Sequence, residues 1–255
     1  AGRLGAAWSV PGLRDAWSMD GGWRIVESWL RVEDYDRRTP HDPGGPPPVE
    51  PWTGTDGLID LGLSWNASEF YPDSIIAERL HEAGVRATLG DPWLGGTRER
   101  VLIALTTRHH LPLGRHRVLS LAGRLDLAPV GPDAGSTYSV TGQAALDPID
   151  LLGGGSGATI VRGLPALAML GGDGLAWGSL ALHWPLADLG RGLDVLPVYA
   201  GRLWLVGFVD GAWAFWTEPD DRLPGGGVGS TGLELRMNYE LGYVLMGTVR
   251  LGAGR

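Results

Sequence analysis

Catalysis or metal binding needs nucleophiles, acids, bases or ligands within hydrogen-bond reach of one another, and the chain offers few such sets. His109, His110 and His116 lie close together. If strands over Glu99 to His110 and His116 to Ala128 paired across the turn Leu111 to Arg115, two of them would meet one ion. With no Cys and no clustered carboxylate the shell stays incomplete, so no metal site is expected and the histidines read as turn or interfacial residues. Ser179, His183 and Asp188 are ingredients of a hydrolase triad, but no spacing selects them. Gly227-Val228-Gly229-Ser230-Thr231-Gly232 fits G-x-G-x-x-G, yet a phosphate site needs a helix after it and an alternating strand follows. Gly153-Gly154-Gly155-Ser156-Gly157 lacks the glycine two residues after its serine that a nucleophile elbow requires. No cofactor and no catalysis are expected.

The more informative chemistry is electrostatic. A glycine-rich segment, Gly153 to Gly157, leads into Ile160-Val161-Arg162-Gly163. Further on, Leu203 to Phe215 places Arg202 and Asp210 at even positions and Leu203, Leu205, Val209, Trp213 and Phe215 at odd ones. Asp210 therefore faces away from the oily side, where an inward-folded loop could present a guanidinium. Arg162 is the natural candidate, because Arg offers a two-pronged fork to a carboxylate. A solvated Arg162 and an Asp210 paired elsewhere fit the spacing equally well.

The elements that must position these residues are strands. From Gly229 to Glu240, Leu233, Leu235, Met237 and Tyr239 alternate with Ser230, Glu234, Arg236 and Asn238. The pattern recurs over Gly57 to Ser68 and His116 to Ala128. Weaker versions cover Trp23 to Tyr35, Glu82 to Gly90, Glu99 to His110, Leu175 to Trp184, Arg202 to Trp216 and Val244 to Leu251. A hairpin at Pro11-Gly12 adds one or two more strands, and Ser74 to His81 could form a helical turn or two. Many of these runs are long compared with the usual strand of about 5–6 residues and suit a tilted membrane-crossing strand of about 9–11. Trp65, Tyr71, Trp177, Trp184, Trp216, Tyr239 and Tyr243 near strand ends fit interfacial girdles. Two long connections, Arg37 to Thr55 and Pro129 to Gly174, contrast with short turns elsewhere.

Composition bounds the class. The chain has 255 residues with a net charge of −8, and all 21 of its basic residues are Arg. That acidity argues against a nucleic-acid partner, and 44% hydrophobic residues argue against wholesale disorder. The longest apolar run, Leu203 to Val209, is seven residues, too short for a membrane helix. A β-barrel remains open, since alternation dilutes mean hydropathy to the observed −0.01. The start, Ala1-Gly2-Arg3-Leu4, has neither an initiator Met nor a signal-peptide core, which predicts upstream sequence. The fold expected is all-β, an antiparallel transmembrane barrel of about 10–12 strands, with residues 1–255 as one domain. A soluble all-β binding module and a barrel-embedded hydrolase are the alternatives.

The ordered motifs Val161-Arg162-Gly163, Trp184-Pro185-Leu186, and Phe208-Val209-Asp210-Gly211 followed by Trp213 resemble the bacterial outer-membrane surface-antigen (BamA-like) superfamily of barrels. Tyr71-Pro72-Asp73-Ser74-Ile75, Leu89-Gly90-Asp91 and Gly114-Arg115-His116-Arg117-Val118-Leu119 resemble the branch whose barrel follows a TolB-like propeller. The resemblance implies an outer-membrane location in a Gram-negative bacterium, contact with membrane lipid, and a transport, protein-translocation or assembly-scaffold role. It also implies that the glycine-rich loop Pro148 to Gly172 folds into the lumen, with Arg162 and Gly163 latched to Asp210 and with Val161, Phe208 and Gly211 as the supporting motif. Superfamily barrels have about 16 strands, so either an upstream segment or another chain completes this one, or it closes a smaller even-numbered ring. An upstream propeller domain is the other partner implied.

Overall fold

The computed structural model describes residues 2–11, 15–28, 54–69, 76–97, 99–130, 137–141, 159–163, 168–193, 196–217, 226–241 and 245–254. Ten strands form one antiparallel sheet: β1 (Gly2–Pro11), β2 (Asp15–Ser28), β3 (Gly54–Glu69), β4 (Arg79–Gly90), β5 (Arg100–Pro112), β6 (Val118–Val130), β10 (Gly174–Leu193), β11 (Leu196–Phe215), β12 (Gly226–Leu241) and β13 (Leu245–Gly254). Each pairs with the next in that order. Between β6 and β10 the chain makes a small second sheet in the order β8 (Thr159–Ile160), β7 (Thr137–Thr141), β9 (Ala168–Gly171). The only helical element among the described residues is a 3-10 turn, Pro92–Leu94.

The alternation in the sequence becomes two unlike faces, and the register aligns them strand to strand. Met19 opposes Leu63, Leu63 opposes Val85, Val85 opposes Leu105, and Leu105 opposes Leu125. On the other half of the sheet Leu121 opposes Leu180, Leu180 opposes Val209, and Leu205 opposes Leu235, which opposes Leu251. These residues share one face, and it is the uncovered one: Val209 is 54% exposed, Trp213 56% and Leu233 58%. The covered face is mixed: Asp60, Thr88, His110, His183, Asp210, Ser230 and Arg236 lie buried there beside Val118, Leu175, Trp204, Val206 and Phe208, and Thr88 donates to Asp60 at 2.6 Å. The uncovered face carries the continuous aliphatic rows.

Buried apolar residues cluster in two patches, and Leu58, Leu80, Val118, Ala128 and Trp204 are buried outside them. Val161, Leu170, Leu175, Ala212 and Ala214 cluster where the small sheet meets β10 and β11, with Trp177 and Val228 against them. Ala181, Val206 and Phe208 form the other. Connections of unequal length segregate by end: residues 12–14, 70–78, 113–117, 194–195 and 242–244 join strands at one end, and 29–53, 91–99, 131–173 and 216–225 at the other. One longer-end connection is tightly built. Asp91 accepts from the Trp93 backbone N–H at 3.0 Å, Gly95 ends the 3-10 turn at φ 94°, and Gly57 tucks against the Leu94 carbonyl, where a Cβ would come within 2.3 Å.

Several expectations change. The sheet is not closed: among the described residues β1 and β13 are its two edges and do not pair with each other. The helical turn expected over Ser74 to His81 is absent from its described part, because Arg79, Leu80 and His81 pair with Glu69, Ser68 and Ala67 as the start of β4. The strand expected over Trp23 to Tyr35 begins earlier, at Asp15, since Trp17 and Met19 extend the alternation opposite Trp65 and Leu63; residues 29–35 lie outside the described residues. So do Tyr71 to Ile75, Tyr243, Gly153 to Gly157 and much of the loop Pro148 to Gly172. Trp177 lies on the covered face and not in an outward girdle, whereas Trp65 and Trp184 face outward.

Candidate functional site

The site is assembled by register. Ser179 on β10 stands directly opposite Asp210 on β11, which stands directly opposite Ser230 on β12. Three polar side chains thus form a row across the covered face, and Arg162 descends onto it. Its Nε donates to Asp210 Oδ2 at 2.7 Å and its Nη2 to Asp210 Oδ1 at 2.7 Å, the two-pronged geometry of a guanidinium on a carboxylate. Nη2 also donates to Ser179 Oγ at 3.1 Å, and the Arg162 backbone N–H donates to Asp210 Oδ2 at 3.0 Å. Ser230 Oγ donates to the Arg162 carbonyl. The guanidinium lies 4.1 Å from the Phe208 ring centroid, and Glu234 approaches Nη1 at 4.0 Å while also holding Arg236.

Local structure explains why the loop presents Arg162 there. Thr159 and Ile160 pair in parallel with Val140 and Thr141, which carries the chain over the sheet. Val161 is fully buried against Ala212 and Ala214, whose small side chains leave room for it. Gly163 then turns at φ 85°, a conformation that favours glycine. A Cβ on Gly254 would stand 3.3 Å from the Gly163 Cα, so the turn reaches the edge strand β13.

The structure brings Arg162 and Asp210 together, with Val161, Gly163 and Phe208 beside them. Gly211 does not join them: it is one step along β11, on the opposite face, in register with Gly178 and Gly229, with the Val228 carbonyl oxygen 3.8 Å from where a Cβ would go. Ser230 and Glu234 were not anticipated. Both sit on the polar side of an alternating strand, but only the register of β11 with β12 reveals that they meet the loop.

The catalytic alternatives do not assemble. His109 faces outward against His81, with the two Nδ1 atoms 3.0 Å apart. His110 Nδ1 lies 2.8 Å from the Ala77 carbonyl oxygen on the other face, and His116 pairs with Glu78 at 2.6 Å. Adjacent residues on a strand point oppositely, which separates the first two. Among the described residues no three metal-ligating groups converge. Ser179 serves Arg162, and Asp188 pairs with Arg202 at 3.0 Å. Gly227 to Gly232 is part of strand β12. No protein-family model matches the chain, and no curated protein matches its sequence.

Proposed function

We propose that this chain is the wall of an antiparallel β-barrel in a bacterial outer membrane, akin to the surface-antigen superfamily that its motifs resemble. Its role is transport, protein translocation or assembly scaffolding, without catalysis. The observation that carries the reading is the outward apolar face on β2 through β13, which lies over a covered face that buries polar and charged side chains among its apolar ones. Along β11 the outward set runs from Leu203 to Trp213, about 34 Å of strand at about 3.4 Å per residue, or about 24 Å of membrane at a tilt of about 45°. A barrel's apolar band is about 25 Å tall. Nine strands about 4.8 Å apart carry it, which makes a patch of about 1,000 Å², well above the few hundred Å² that soluble monomers expose.

Two further features support the reading. Apart from 70–78, the connections at one end are short and those at the other longer, as periplasmic turns and outer loops are in such barrels. Trp17, Trp65, His81 and His109 form a row on the outward face at the short-turn end, with ring centroids 6.2, 6.4 and 5.3 Å apart, where an aromatic girdle belongs. Lipid leaves no backbone group unpaired, so β1 and β13 are completed in the membrane by each other, by strands upstream of this chain, or by another chain. The Arg162 latch then holds the loop inside the lumen and sets how far the pore is occluded.

Purification with and without detergent, followed by gels of unheated and boiled samples, tests this. A detergent requirement with migration that changes on boiling is expected. A soluble monomer without detergent overturns the proposal.

A further inference from the structure

The outward face at the short-turn end carries charge that the fold leaves unused. The turn from Leu113 to Arg117 is closed by the Leu113 N–H donating to the Arg117 carbonyl at 2.8 Å and the Arg117 N–H to the Gly114 carbonyl at 3.1 Å. Gly114, Arg115 and His116 all have positive φ, and His116 is tied to Glu78. This rigid turn leaves Arg115 exposed and sets the Arg117 guanidinium 3.8 Å from the Trp184 ring centroid. Arg79, Arg86 and Arg108 pair with Glu69, Asp20 and Glu82. Arg115 and Arg117 have no acidic partner among the described residues.

A guanidinium lying flat on an indole keeps its N–H edge free, and that edge is the part that recognises phosphate. Trp184 stands on the outward face at the border of the apolar band, and four residues along the same strand Leu180 opposes Leu121 on β6. Both leucines are exposed. The arrangement matches a lipid lying lengthwise: phosphate at the arginines, glycerol beside the indole, acyl chains on the leucines. We infer that Arg115, Arg117 and Trp184 form a headgroup site for an anionic glycerophospholipid in the leaflet at the short-turn end. The inference rests on the membrane reading and specifies one of its lipid contacts.

Native mass spectrometry of the full chain, purified in detergent and mixed with equal amounts of phosphatidylglycerol and phosphatidylcholine, tests it. Preferential retention of phosphatidylglycerol is expected, falling about fivefold for each guanidinium removed in Arg115→Gln and Arg117→Gln. Arg79→Gln, whose partner is Glu69, leaves retention unchanged. Equal retention of both lipids, or retention unaltered in the double variant, overturns the headgroup site; if migration still changes on boiling, the barrel stands. A chain that is soluble without detergent and retains neither lipid overturns both.

Discussion

Arg162 and Asp210 concentrate the strongest interactions of the covered face in one place. Asp210 is 3% exposed and receives three N–H groups from one residue, so removing Arg162 strands a buried carboxylate. Breaking such a pair typically costs about 3–5 kcal/mol. Arg162→Ala is therefore expected to lower stability by about 3 kcal/mol in denaturant titrations of the membrane-inserted protein. Asp210→Ala should behave similarly, and the double variant should lose clearly less than the sum. Full additivity would show that the two side chains act independently. The spacing left the pair as one of two equal readings, and only the resemblance to the surface-antigen superfamily selected it. The pair's neighbours were not legible: Ser179 and Ser230 look like ordinary polar alternates until register places both beside Asp210.

At the scale of the element, each strand presents two solvents to its two faces. Leu63 and Ser64 are neighbours on β3, one on the apolar outward face and one hydrogen-bonded to Ser18 at 2.5 Å on the polar face. If lipid bathes the first, Leu63→Arg costs about 2–4 kcal/mol near the bilayer midplane, whereas Ser64→Arg, facing the polar interior, costs under about 1 kcal/mol. Unfolding from vesicles measures both, and equal costs would contradict the assignment of faces. Strand existence was readable across the large sheet, since alternation over Gly57 to Ser68 or Gly229 to Glu240 admits no helix, but β7, β8 and β9 lie in the stretch Pro129 to Gly174 expected as a connection. Strand ends were less so. Tertiary pairing extends β10 and β11 to Leu193 and Leu196 through register shifts near Pro185, Asp188 and Ala200 that no periodicity announces. Alternation also cannot say which face is covered. Trp177 illustrates this: its aromatic character suggests an interface, but its parity with Leu175 and Ser179 places it inward.

For the whole molecule, the proposed barrel ties the exposed apolar face to the two edges, β1 and β13, that the described residues leave unpaired. If lipid meets that face it forbids unpaired edges, so the proposed membrane location and a completed ring require each other. The sequence showed the number and sense of the strands but could not show closure, because closure depends on whether β1 and β13 meet, which no local pattern encodes. The most direct test of lipid contact uses the absence of native Cys. Single cysteines placed in turn at Leu233, Glu234, Leu235 and Arg236 on β12, in protein reconstituted into vesicles, are probed with a water-soluble maleimide and, after fluorophore labelling, with lipids brominated in their acyl chains. Cysteines at 233 and 235 should resist the maleimide and be quenched by the brominated chains, and those at 234 and 236 should escape that quenching. Ready maleimide reaction at 233 and 235, with no quenching by brominated chains, would contradict the membrane barrel.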